Sequence, residues 1–342
     1  MSSAADDLRS LIAARGGRIP FDEFMGIALY GEHGFYSAGG RAGRRGDFLT
    51  SPEVGPLFGA VVARALDAEW DRLGRPDDFC VVDAGAGPGT LARAVIAARP
   101  GCLTRGRYVA VETSAAQRAQ HPEGAESAAT MPEHIESGVV IANELLDNLA
   151  FRLFVHDAGW REAFVTSQGG GFAEVLGPVE SNPFLPDGAP HGARAPIQDA
   201  AAAWLDATLR SLGGGRVIAI DYCTALTAEL ARAPWREWLR TYRGHERGAH
   251  YLREPGTQDI TTQVCIDQLA VVREPDAVRT QAQWLQRWGI DDLVAEGKLA
   301  WEKAASAPTL EAMRMRSRVS ESEALLDPNG LGHFDVLEWQ VG

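Results

Sequence analysis

Lysine is almost missing from this chain: only Lys298 and Lys303 occur, so nearly all of the 33 basic residues are arginine. Basic charge is short overall, because 46 acidic residues leave a formal net charge of −13 over 342 residues. A protein that grips a nucleic-acid backbone needs a basic face, so DNA and RNA are not the expected partners. Cysteine is scarce as well. Cys80, Cys102, Cys223 and Cys265 are scattered with no C-x-x-C pair, which argues against a disulfide framework or a zinc site and for reduced thiols. No window approaches the roughly 18 apolar residues of a membrane-spanning helix, so no membrane insertion is expected. Residues 1–15 carry Asp6 and Asp7 and lack a long apolar run, unlike a secretory signal or an acid-poor transit peptide. The expected location is cytoplasmic.

Hydrophobic residues, at 45%, are plentiful enough for a sizeable core. Short apolar runs at Phe79 to Asp83, Tyr108 to Val111, Val139 to Ala142 and Arg216 to Tyr222 read as buried strands. Helical patterns at Val54 to Leu73, Thr90 to Ala98 and Ser114 to Gln120 alternate with them. Such alternation predicts the α/β class, with a doubly wound, mostly parallel, Rossmann-like sheet. Leu8 to Ala14 and Phe21 to Tyr30 are helical patterns ahead of it, and the glycine-rich, basic stretch Gly31 to Gly46 reads as an exposed loop. Phe151 to His156, Trp160 to Thr166 and Phe172 to Leu176, separated by glycine-rich turns, look like an antiparallel meander. Ala200 to Leu212, Leu226 to Ala233 and Thr280 to Trp288 read as helices and His333 to Trp339 as a terminal strand. The expected organisation is therefore an N-terminal helical extension with active-site loops (1–75) and a core (76–225) interrupted by an insertion at about 151–200. Further elements (226–342) would pack on that core.

The motif Asp83-Ala-Gly85-Ala-Gly87-Pro-Gly89 falls where the first strand turns into a helix. Glycines there let a ligand approach the backbone, and a helix start offers unpaired N–H groups. Glu112 closes the next strand, where a carboxylate accepts hydrogen bonds from both ribose hydroxyls. The dinucleotide fingerprint G-x-G-x-x-G is not present, and no Gly-Lys-Ser/Thr follows. The spacing G-x-G-x-G after an acidic residue instead resembles class I S-adenosyl-L-methionine methyltransferases, with a nicotinamide enzyme as the minor alternative. Thr50, Ser51 and Glu53 form a helix start that could close over the cofactor or simply cap the helix.

The chain as a whole resembles the MidA family of methyltransferases. Ile19-Pro-Phe, Phe24-Met, Ala28-Leu-Tyr and His33-Gly-Phe-Tyr36 carry the likeness, as do Gly46-Asp-Phe-Leu-Thr-Ser-Pro-Glu-Val54 and Ala142-Asn-Glu-Leu-Leu-Asp147. Asp221-Tyr222, Arg243-Gly-His245, Asp259-Ile-Thr261 and Trp288-Gly-Ile290 continue it in order. The resemblance implies S-adenosyl-L-methionine as cofactor. Mitochondrial members assist assembly of respiratory complex I and methylate an arginine of one of its subunits, so a protein arginine is the implied acceptor. Two departures stand out: the loop opens with Asp83-Ala-Gly where many members have Glu followed by Gly-Pro-Gly, and Cys223 replaces the usual glycine after Asp-Tyr.

A guanidinium is cationic, so a site that methylates it must orient it with carboxylates and help to remove a proton. Glu144 and Asp147 follow the third strand, at the end of the sheet where α/β ligands bind, and are the expected catalytic pair. Asn143 would hydrogen-bond cofactor or backbone, and His33, Tyr222 and His245 are substrate-side candidates. No Asn-Pro-Pro-aromatic signature of adenine methylation, Ser-His-Asp order or metal-ligand spacing is present, so no metal is expected. A small-molecule methyltransferase and a cofactor-binding assembly factor without turnover stay open as alternatives, as does a homodimer.

Overall fold

The valine-rich strands Cys80–Ala84 and Gly138–Asn143 have no polar face, and in the computed structural model they lie side by side in the middle of a sheet. The structure describes residues 3–37, 50–243, 246–304, 306–307 and 309–342. Most of the stretch from Gly31 to Gly46, and all of Gly244-His245, lies outside the described residues. Contacts divide the chain into two units. One comprises residues 3–37, Leu145–Ala207 and Tyr222–Glu274; the other comprises residues 50–144, Thr208–Asp221 and Pro275–Gly342.

Among the described residues, the second unit holds a seven-stranded sheet. Its order is Ala277–Thr280, Asp335–Val341, Gly215–Asp221, Gly138–Asn143, Cys80–Ala84, Arg107–Val111 and Ala125–Ala128. The five strands from Gly215–Asp221 to Ala125–Ala128 run parallel, and Asp335–Val341 joins antiparallel to Gly215–Asp221. This is the expected doubly wound α/β sheet. Parallel strands need covered faces, and the helices Pro56–Arg72 and Thr90–Ala98 supply Leu57, Phe58, Val61, Leu91 and Val95 to a core with Val81, Ile141, Ile220 and Val336. After Cys80–Ala84 the chain adds strands on one side, then crosses to place Gly138–Asn143 on the other. That reversal is the switch point at which ligands bind in open α/β sheets.

The helix expected over Val54 to Leu73 is split into Ser51–Val54 and Pro56–Arg72. Pro56 sets the break, because it drives Gly55 before it out of the helical region, and Glu321 seals it. Its buried carboxylate accepts from the Leu57 N–H at 2.8 Å and fills the space a side chain at Gly55 would need, only 2.3 Å from where a Cβ would stand. The helix expected at Leu226 to Ala233 shrinks to Thr227–Leu230, while Ile290–Ala304 and Leu310–Leu326 are helices that were not expected. The latter buries only Ala312, Glu321 and Leu325, too thin an apolar stripe to register as periodicity.

The other unit is built on an antiparallel sheet of Ile19–Pro20, Trp160–Gln168, Arg152–His156 and Arg194–Ile197, with Gly171–Val179 paired to Trp160–Gln168. The helices Ala4–Ala14 and Phe21–Tyr30 add Leu8, Ile12, Phe21 and Phe24 to its core, against Phe151, Leu153, Trp238 and Tyr251. Residues 151–200 thus form a meander within this unit, whereas Pro275–Gly342 contributes two strands to the parallel sheet. The units cut across the consecutive segments expected from the sequence because the terminal strand pairs with Gly215–Asp221 over its full length.

Trp339, fully buried on that terminal strand, provides a test. Trp339→Ala is expected to lower the unfolding free energy by about 3–5 kcal/mol in urea titration. A loss under about 1 kcal/mol would show that the chain end is not part of the core.

Candidate functional site

Gly85, Gly87 and Gly89 follow the first core strand with φ of 72°, 53° and 77°, all in the left-handed region that glycine enters without strain. The turn is tied to the neighbouring strand, since the N–H groups of Gly85 and Ala86 both donate to the Val111 carbonyl at 3.0 and 2.9 Å. Glu112 comes next. Its carboxylate accepts from the Gly87 N–H at 3.0 Å and from the Ser114 N–H at 2.8 Å, so one side chain links the glycine turn to the segment after the second strand. Arg118 fastens that segment by donating to the carbonyls of Glu112 and Thr113, both at 2.7 Å. Beneath the turn, Asp83 is buried and accepts from the Tyr108 hydroxyl at 3.0 Å. Burial raises its carboxyl to about 7.

Across the switch point, Asn143 ends the third core strand and Glu144 follows with φ 51°, a left-handed conformation that costs a non-glycine residue about 1 kcal/mol or more. The Glu144 N–H donates to the Ile220 carbonyl at 2.8 Å, and the Asn143 amide donates to the Glu144 carboxylate at 3.2 Å. Asn143 Oδ1 is buried with no hydrogen-bond partner among the described residues, and so is Ser114 Oγ. Of the helix start, Glu53 accepts from the Thr90 hydroxyl, at the first residue of the helix after the glycine turn. Ser51 is turned elsewhere: it is fully buried and donates to Gln281 at 2.7 Å. Thr50 is buried and its carbonyl accepts from the Glu53 N–H.

Asp147 belongs to the other unit. Its buried carboxylate accepts from the hydroxyls of Tyr222 and Thr261, which lie 2.7 Å from each other. Asn148 continues the network. It donates to Asp259 at 3.1 Å, and the Tyr36 hydroxyl reaches both Asn148 Oδ1 and Asp259 Oδ1, at 3.0 and 3.1 Å. Burial raises Asp147 to about 6 and Asp259 to about 7, with the Asp147 charge adding to the rise at Asp259. Tyr222 was expected on the substrate side; Tyr36, Asn148, Asp259 and Thr261 were not assigned a role. The available signal was that His33-Gly-Phe-Tyr36 and Asp259-Ile-Thr261 are among the segments that carry the family likeness. His33 instead pairs with Asp7 at 2.9 Å on the surface, and that hydrogen bond raises its pKa.

A family profile described as "Putative S-adenosyl-L-methionine-dependent methyltransferase" matches residues 61–283, well over half of the chain. A crystal structure of a "likely methyl transferase" from Burkholderia thailandensis bound to S-adenosyl-homocysteine covers 98% of this chain and 91% of its own, with 27% identity and a TM-score of 0.83. The mitochondrial protein arginine methyltransferase NDUFAF7 homolog of Drosophila melanogaster is 42% identical over 95 residues, 28% of this chain and 22% of that protein. Human mitochondrial protein arginine methyltransferase NDUFAF7 is 36% identical over 76 residues, 22% of this chain and 17% of its own length. The alignments therefore span about a fifth of these curated relatives. The cofactor is S-adenosyl-L-methionine, and the residues fit it: the left-handed glycine turn lies at the strand ends beside the switch point, Glu112 would accept from ribose hydroxyls, and Ser114 Oγ and Asn143 Oδ1 are buried polar atoms with no hydrogen-bond partner among the described residues.

Glu112→Ala removes both bridging hydrogen bonds and is expected to weaken S-adenosyl-homocysteine binding by about 10- to 100-fold in calorimetric titration. A change under about threefold would contradict the placement of the ribose. The acidic network has a pH signature. Because Asp259 holds its proton to a higher pH when folded than when unfolded, the folded state binds more protons, and stability falls as pH rises from about 4 to about 7. Asp259→Asn is expected to flatten that decline in urea titrations. Equal slopes for the variant and the wild type would contradict the proton assignment.

Proposed function

We propose that this chain, which belongs to the family of S-adenosyl-L-methionine-dependent methyltransferases, methylates an arginine side chain of a protein. The observation that carries the reading is Glu144: a carboxylate fixed in a left-handed turn just past the third core strand, with the Asn143 amide on one of its oxygens. Bound cofactor supplies an electrophilic sulfonium methyl group. Everything else is placement and charge. A guanidinium stays protonated in water and presents a planar fork of donors, which a carboxylate matches with paired charge-assisted hydrogen bonds. Holding one guanidinium nitrogen in line for attack converts binding energy into rate.

The role proposed for Asp147 rests on its own surroundings. Its carboxyl is raised to about 6 by burial and held by Tyr222 and Thr261, so it can take up a proton near neutral pH, as a group that relieves the acceptor of its proton must. The partial likeness to proteins named as mitochondrial protein arginine methyltransferases supports a protein acceptor. A subunit of respiratory complex I, or its homologue, is the acceptor we favour from the MidA resemblance.

The test uses lysate from a strain lacking the gene, purified protein and heavy-methyl S-adenosyl-L-methionine, with labelled residues mapped by mass spectrometry. One labelled arginine is expected. Glu144→Gln is expected to lower labelling by about 100-fold or more while binding S-adenosyl-homocysteine within about threefold of wild type. Label confined to small molecules, or full activity of Glu144→Gln, would overturn the reading.

A further inference from the structure

Glu112 is not the only side chain that holds the glycine turn. The segment that begins with Glu112 runs back along the turn and ends at His121-Pro122. His121 Nε2 stands 3.0 Å from the Gly87 carbonyl oxygen. A carbonyl only accepts, so this nitrogen carries the proton and donates it. His121 Nδ1 is buried with no hydrogen-bond partner among the described residues, so the ring makes its one polar contact through Nε2. Packing agrees. A Cβ at Gly89 would stand 2.8 Å from Pro122 Cδ, 3.2 Å from His121 Cδ2 and 3.3 Å from His121 Cα. A Cβ at Gly87 would stand 3.2 Å from Gln117 Oε1. Arg93 donates to the Gly89 and Gln120 carbonyls, at 3.2 and 3.0 Å, joining the helix after the turn to the residue before His121.

The central residue of the turn is therefore gripped on both sides: its N–H by Glu112 and its carbonyl by His121. The two grips are not equivalent. Glu112 is also the carboxylate assigned to the ribose, and each of its oxygens has limited capacity for donors. His121 carries no such second duty. We propose that His121 is a positioning residue of the cofactor site, which fixes the Gly87 peptide through its Nε2–H and so keeps the turn in its binding form while Glu112 engages the ligand. Holding the turn in advance spares binding the cost of ordering it. The inference rests on the cofactor and is independent of the nature of the methyl acceptor.

The experiment titrates S-adenosyl-homocysteine calorimetrically into the full chain and three variants, each first shown to be folded by circular dichroism and by its urea midpoint. In His121→Gln the amide nitrogen can take the place of Nε2. In His121→Asn the side chain is too short to reach, and in His121→Phe the ring keeps its bulk without a donor. His121→Gln is expected to bind within about threefold of wild type, and His121→Phe and His121→Asn to bind about tenfold more weakly, the size of one neutral hydrogen bond. A purely structural role would lower the urea midpoint of His121→Phe and leave the affinity of its folded form unchanged. Binding of His121→Phe within twofold of wild type, or equal weakening of His121→Gln and His121→Phe, would overturn the proposal. Failure of the wild-type chain to bind would instead count against the cofactor assignment.

Discussion

The carboxylate of Glu112 bridges two backbone amides, those of Gly87 and Ser114, and the cofactor side of the sheet depends on that bridge. It joins what two neighbouring parallel strands deliver at their carboxyl ends: a left-handed glycine turn from one and a polar segment from the other. Strands buried on both faces can present polar groups only at their ends. The reversal of strand order there opens the space into which those ends project. Asn143 and Glu144 complete the arrangement from the strand on the far side of the first.

Strain and burial mark the residues to which function is assigned. Glu144 holds a backbone conformation that glycine would adopt at lower cost, and it does so where a strand must end abruptly with its carboxylate fixed by Asn143. Burial raises Asp147 and Asp259 above the ordinary carboxylate range, against the hydroxyls and the amide that donate to them. Asp83 is a third buried carboxyl, but its Tyr108 partner and its place beneath the turn suit it to support rather than chemistry.

The parallel sheet was legible because fully buried strands read as continuous apolar runs: the strand Cys80–Ala84 differs from its expected bounds by one residue at each end, and the helix Thr90–Ala98 after it matches them. The glycine turn and Glu112 were legible because spacing and position in a strand-turn-helix unit determine them. The break at Gly55 had a local signal in Pro56, but the Glu321 carboxylate that seals it lies more than 260 residues away and carries none. The pairing of Ser51 with Gln281 was not legible either. The Asp147 network shows the same limit: Tyr36, Asn148, Tyr222, Asp259 and Thr261 come from four separate stretches of sequence, and only tertiary structure brings their hydroxyls and carboxylates together.

The most direct measurement is a crystal structure of this chain with S-adenosyl-homocysteine. The ribose hydroxyls should lie on the Glu112 carboxylate, with the ligand running along Gly85 to Gly89 and the homocysteine sulfur facing the end of the strand that carries Glu144. A ligand bound away from the glycine turn, or with Glu112 free of the ribose, would contradict the assignment of the site.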